Sequence, residues 1–220
     1  MLSEHLFQKK ITVTKEVNLA YILSLPASYN EEDQKEFPLV LFLHGMGERG
    51  NDLELVKRHG PLKSTEKQSF PFILLAPQCP LELRYSTWEL YLDDLIALID
   101  HISTVYRVDA QRIYVTGLSM GGYGTWELAK KYPDRFAAAV PICGGGSVEG
   151  IERLKDVPVW AFHGAKDDVV PLEESEKMVH ALQDVGGNAK LTVYPDATHD
   201  SWTETYNHPH LYSWLLKQHK

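Results

Sequence analysis

Residues 112–129 read Arg-Ile-Tyr-Val-Thr-Gly-Leu-Ser-Met-Gly-Gly-Tyr-Gly-Thr-Trp-Glu-Leu-Ala. The run Arg112 to Thr116 is a short apolar strand signal, and from Thr125 to Tyr132 the pattern turns helical. Between them lies Gly117-Leu118-Ser119-Met120-Gly121, a G-x-S-x-G pentapeptide followed by Gly122. A strand that turns sharply into a helix here holds Ser119 in a strained backbone conformation, and side chains at 117 or 121 would collide with neighbouring backbone. The turn presents the Ser119 hydroxyl at the edge of the sheet. It also places it at a helix N-terminus, whose free N–H groups favour negative charge developing nearby.

The rest of the chain repeats this strand-then-helix rhythm. Pro38 to Leu43, Phe72 to Ala76, Ala137 to Ile142, Val157 to Phe162 and Leu191 to Tyr194 are short, nearly continuous apolar runs, as expected of strands buried on both faces of a parallel sheet. Trp88 to Tyr106 sets Leu92, Leu95, Ile96, Ile99 and Ile102 at helical spacing, and Glu173 to Val185 is helical in pattern as well. Ile11 to Val17 and Ala20 to Leu25 predict an antiparallel pair of N-terminal strands, and the polar stretch Ser28 to Phe37 a solvated connection. The fold class expected is α/β, a doubly wound, mostly parallel sheet over residues 1–220 as one domain.

A serine hydroxyl is a weak nucleophile that needs a base, and the base needs an acid to orient it. Two later strands end in suitable turns: His163-Gly-Ala-Lys-Asp167-Asp168 and Pro195-Asp-Ala-Thr-His199. Of the adjacent acids we assign Asp167 to the base and leave Asp168 to solvent or local backbone N–H groups. Asp196 and Asp200 flank His199 too closely to orient it. Among the other nine histidines, His44 and His163 stand at strand ends beside glycine, where an imidazole shapes a turn, and the rest read as surface. His208 and His210 match no common zinc spacing, so we expect no metal and no cofactor. Acyl transfer also needs N–H donors for an oxyanion, each worth roughly 3 kcal/mol. The backbone of Met120 and of Met46, in the glycine-rich turn His44-Gly-Met-Gly-Glu-Arg-Gly50, would supply them.

Composition narrows the alternatives. A net charge of -8 without basic clusters argues against nucleic acid, and no apolar stretch is long enough to span a bilayer. The N-terminus lacks the pattern of a signal peptide, so a cytoplasmic location is expected, with secretion requiring a leader outside this sequence. Cys79 and Cys143 are too few for a disulfide scaffold and read as reduced.

Taken together, LFLHGMGERG, RIYVTGLSMGGYGTWELA, HGAKDDVVP and YPDATHDSW resemble the phospholipase/carboxylesterase and dienelactone-hydrolase-like branch of the α/β hydrolases. The resemblance runs from about residue 38 to the C-terminus. Within that branch it resembles the small bacterial esterases known as predicted peptidases, which are similar to feruloyl and polyhydroxybutyrate esterases. It implies Ser119 as nucleophile, Asp167 as acid, His199 as base and Met46 and Met120 as oxyanion donors. The implied sheet order puts the strands ending near Cys79 and Cys143 about 14 Å apart, beyond disulfide reach. The interval from Cys143 to Asp156 is too short for the large lid of lipases, so an open cleft is expected, with Tyr85, Trp88 and Trp202 along it.

The activity expected is a serine carboxylesterase acting on short-chain or sugar-linked and aromatic esters, small or displayed on a polymer. A peptidase or thioesterase would use the same groups, and a catalytically silent binding module is the reading from another class. Oligomeric state has no signature in the sequence.

Overall fold

A computed structural model of the 220-residue chain describes residues 4–6, 8–9, 14–32, 34–65, 69–82 and 85–220. The apolar runs become strands: β1 (Tyr21–Ser24), β2 (Phe37–Leu43), β3 (Ile73–Pro77), β4 (Val108–Leu118), β5 (Ala138–Ile142), β6 (Val159–Gly164) and β7 (Ala189–Tyr194). Among the described residues they form one seven-stranded sheet in the order β1-β3-β2-β4-β5-β6-β7, parallel throughout except where β1 meets β3.

Both faces of the sheet are covered, which is why the runs show no alternation of polar and apolar residues. Leu39, Leu41 and Leu43 point into one core layer and Val40 and Phe42 into the other, following the two-residue period of a strand. The first layer is closed by α1 (Leu92–Val105), α2 (Met120–Lys131) and α3 (Glu173–Asp184) through Ile99, Trp126 and Leu182. The second is closed more thinly by 3-10 turns and two short helices, α4 (Trp202–Tyr206) and α5 (Leu211–Leu215). Each fully buried leucine or isoleucine contributes about 2 kcal/mol. The alternation along β2 therefore fixes its register firmly.

The N-terminal strands correct one expectation. Ile11 to Val13 lie outside the described residues, and residues 14–20 form no strand. β1 is antiparallel, but its partner is β3, with Tyr21 opposite Pro77 and Ser24 opposite Leu74. The edge of β3 offers unpaired N–H and C=O groups backed by a core, whereas a lone hairpin has neither. A second difference concerns α2, which starts at Met120 and not Thr125. Gly121, Gly122 and Gly124 dilute the helical signal and cost about 1 kcal/mol each in a helix, a cost offset by how closely they let α2 approach the sheet.

The topology creates the crevice. After β2 the chain crosses to β3 on one side, and β4 returns to pair with β2 on the other, with Leu43 beside Gly117. Ligands in such sheets sit at this switch point, outside the carboxyl ends of the strands. Between β5 and β6, residues 143–158 carry a single 3-10 turn, Ile151–Leu154, and no lid. Among the described residues, no helix is long and apolar enough to cross a membrane.

Candidate active site

Four of the groups singled out in the sequence meet at the carboxyl ends of β2, β4, β6 and β7. Ser119 closes β4 and opens α2 with φ 53° and ψ −118°. A non-glycine residue pays about 1–3 kcal/mol there. What holds it is the contact beneath: a Cβ on Gly121 would lie 2.0 Å from Leu43 O, and one on Gly117 2.3 Å from Gly121 O. The Ser119 N–H donates to Ile142 O at 2.9 Å, tying the turn to β5.

His199 follows β7 and faces Ser119, with Nε2 2.9 Å from Oγ. Its Nδ1 lies 2.8 Å from Asp167 Oδ2. The other oxygen, Oδ1, accepts the backbone N–H groups of Val169 and Val170, both at 2.9 Å. The Asp167 side chain is fully buried. Burial by itself pushes this carboxyl's pKa up, but the hydrogen bonds from His199, Val170 and Val169 outweigh it and hold the group below its ordinary value. Asp168 is exposed, Asp196 pairs with Lys166 at 2.7 Å, and Asp200 binds Thr203 N–H at 3.0 Å.

His199 and Ser119 are tied together a second time, in the core. Tyr206 on α4 donates its hydroxyl to Thr116 Oγ1 at 3.0 Å, and Thr116 in turn donates to Val140 O at 2.8 Å. Thr116 lies three residues before Ser119 on β4, and Tyr206 seven residues after His199.

Met120 begins α2 and Met46 begins the 3-10 turn Met46–Glu48, so both N–H groups occupy first positions that have no intrahelical acceptor. His44 braces this turn. Its Nδ1–H donates to Gly45 O at 2.6 Å, and its Nε2 accepts Cys79 N–H at 2.9 Å. Burial drives its pKa down to about 4, against the opposing pull of the Gly45 bond. The ring is neutral and fixed.

The cleft over Ser119 encloses about 410 Å³ and includes Met46, Met120, Val169 and Trp202 in its walls. Trp202 and His199 pack edge to face, ring centroids 5.2 Å apart. The other two aromatic candidates are corrected. Trp88 is fully buried beneath the turn and donates Nε1–H to His44 O at 3.0 Å, so its neighbours Thr87 and Glu89 face the cleft instead. Tyr85 is 78% exposed and stands outside the cleft lining. Sequence reasoning missed Glu48, His59 and Tyr123, which do line it. Glu48 had a signal, lying two residues after Met46.

Among the described residues, Cys143, Asp167 and His199 form one group of possible metal ligands, their ligand atoms all within 4.8 Å of one another. Two of the three are already committed to hydrogen bonds with each other. Burial pushes the Cys143 thiol up to about 12.

Known proteins resemble this chain in sequence and in fold. The chain is 28% identical over 152 residues to a bifunctional acetylxylan esterase/xylanase of Neocallimastix patriciarum, across 67% of this chain and 22% of that protein. It therefore spans about a fifth of that curated relative. A crystal structure of a thermostable esterase, 38% identical, superposes with a TM-score of 0.80 over 92% of this chain and 59% of the other. A ferulic acid esterase, 19% identical, shares the fold at a TM-score of 0.70 over 90% of this chain and 92% of its own. The architecture is that of the α/β hydrolases. The family model described as Dienelactone hydrolase family matches residues 80–210, more than half of the sequence and the span that carries Ser119, Asp167 and His199, and so the chain belongs to the dienelactone hydrolase family.

Proposed function

We propose that the protein is a serine carboxylesterase. The observation that carries this reading is the unbroken hydrogen-bond chain from Ser119 Oγ through His199 to the buried Asp167, at 2.9 and 2.8 Å. Ser119 attacks the ester carbonyl as His199 Nε2 takes its proton, and Asp167 fixes the imidazole and stabilises its cation. The N–H groups of Met46 and Met120 receive the oxyanion, for which each donor is worth about 3 kcal/mol. His199 then returns the proton to the leaving alcohol, and water repeats the sequence to release the acid. The open cleft favours soluble or polymer-displayed esters, in keeping with relatives whose names include acetylxylan and ferulic acid esterase.

The test is hydrolysis of short p-nitrophenyl acyl esters by the wild type and Ser119→Ala, with labelling by a fluorophosphonate. We expect burst kinetics and a labelled Ser119 in the wild type. The variant should lose at least about 10³-fold in kcat. Unchanged turnover in Ser119→Ala refutes the reading, and a tenfold preference for a matched peptide over the ester would move it to a peptidase.

A further inference from the structure

Glu48 occupies an unusual place. It lines the cleft, yet its side chain is only 9% exposed. Among the described residues its carboxyl makes no hydrogen bond, and His59 Nε2 lies 3.8 Å from Oε1. The side chain is thus packed along its length while its oxygens reach the cleft, and a carboxyl that has no protein partner there is available to a polar group that enters.

A structural duty does not account for it. The turn Met46–Glu48 is held by its other groups: Gln78 Nε2 donates to Glu48 O at 2.7 Å, Arg49 Nε to Met46 O at 3.0 Å, and His44 to Gly45 O. The carboxyl is not needed for any of these. Its position even opposes the chemistry. Oε2 lies 3.2 Å from where a Gly45 Cβ would be, next to the turn whose N–H groups would meet the oxyanion, and negative charge there disfavours that oxyanion.

Its direction from Ser119 indicates what it meets. A leaving alcohol must face His199 Nε2 to be protonated. Trp202 packs on His199, His59 packs on Trp202 with centroids 5.5 Å apart, and Glu48 sits beside His59. The path away from the base on the leaving-group side thus runs along an indole to a carboxyl and an imidazole. That pair offers an acceptor and a donor side by side, the complement of a hydroxyl, which both donates and accepts. A cation would use only the acceptor and would meet His59 as a competitor.

Resting on the esterase reading, we infer that Glu48, with His59, is a specificity determinant that binds a free hydroxyl on the alcohol portion of the ester. The substrate class is esters of polyols, glycerol-like or sugar, in preference to esters of simple alkanols.

The experiment compares kcat/KM for glycerol 1-monoacetate and n-propyl acetate, which share a skeleton and differ in two hydroxyls. Their intrinsic reactivities cancel when the ratio for a variant is divided by that for the wild type. We expect Glu48→Ala to lower the monoacetate-to-propyl ratio at least fivefold through KM for the monoacetate. Glu48→Gln, which keeps the volume and covers the case where the alanine variant does not fold, should shift it in the same direction. An unchanged ratio in both overturns the inference. So does a larger loss on acetylcholine than on the monoacetate, which would make Glu48 a reader of charge. Should the wild type hydrolyse neither these two nor the p-nitrophenyl esters, the esterase reading fails on its own. Calorimetric binding of glycerol 1-monoacetate to Ser119→Ala, with and without Glu48→Ala, then decides the subsite: at least fivefold weaker binding supports it, and equal binding refutes it.

Discussion

His163 and His199 share one oxygen of Asp167: Oδ2 lies 2.8 Å from His199 Nδ1 and 3.2 Å from His163 Nε2. His163 is fully buried, and its Nε2 also lies 2.9 Å from Val170 O, while Val170 N–H binds the other oxygen of Asp167. The ring therefore closes a loop around the carboxyl. We predict that His163→Leu lowers kcat by on the order of tenfold to hundredfold, the scale of an ångström of misplacement, with little change in KM. His163→Gln, which restores a donor, should recover part of it. A variant that loses thermal stability while keeping kcat would reduce His163 to a packing residue.

His44 makes stability depend on pH. Its folded pKa of about 4 lies below the unfolded value near 6.5, so between these the unfolded chain binds a proton that the folded chain refuses. Stability is unaffected by this group above pH 6.5 and falls as pH drops from 6.5 to 4, by about 3 kcal/mol in all. Asp167 acts in a lower window. Its folded pKa is depressed, so its contribution is present above the unfolded carboxylate pKa near 3.9 and is lost as pH falls below it. Urea midpoints measured from pH 7 to 4.5 should decline steadily, and a flat profile would contradict the assignment for His44.

Gly121 and Gly47 should respond oppositely to alanine. At Gly121 the new Cβ would lie 2.0 Å from Leu43 O, backbone that cannot yield without moving β2. Gly121→Ala should cost about 3 kcal/mol or more and abolish activity. At Gly47 nothing lies within 4 Å, and Gly47→Ala should change stability by less than about 0.5 kcal/mol. Thermal melts of the two variants check this, and similar losses in both would sink the close-approach argument.

Cys79 and Cys143 are both free and buried, and burial pushes each thiol up to about 12. The thiolate is the reactive form. In folded protein at pH 8 neither should react with a disulfide reagent over minutes, and two equivalents should react at once in denaturant. Fast labelling of the native state would contradict their burial.

The strand runs and the order of the reactive turns were legible because each depends on local sequence. A sheet covered on both faces needs continuous apolar residues, and a serine on a strained turn needs glycines beside it. Asp167 could be told from Asp168 only through direction in a turn, and the structure gives Asp167 the backbone contacts with Val169 and Val170. What stayed hidden depends on packing between distant segments. Trp88 and Thr87 are adjacent at the start of the 3-10 turn Trp88–Tyr91, yet one is core and the other cleft, which no periodicity announces at the first residue of a turn. α4 and α5 have five residues each, too few to display a helical period. The edge of β3 that captures β1 lies far along the chain, with Tyr21 opposite Pro77, so no local pattern announces the pairing.

The contact between Tyr206 and Thr116 bears on how tightly the reactive groups are held. His199 sits on a loop, and a loop alone would let the imidazole drift on the timescale of solvent motion. Because the segment that follows is fastened to β4 beneath Ser119, the spacing of the imidazole and the hydroxyl is inherited from the interior. The sheet acts as a jig, and substrate can come and go without resetting it.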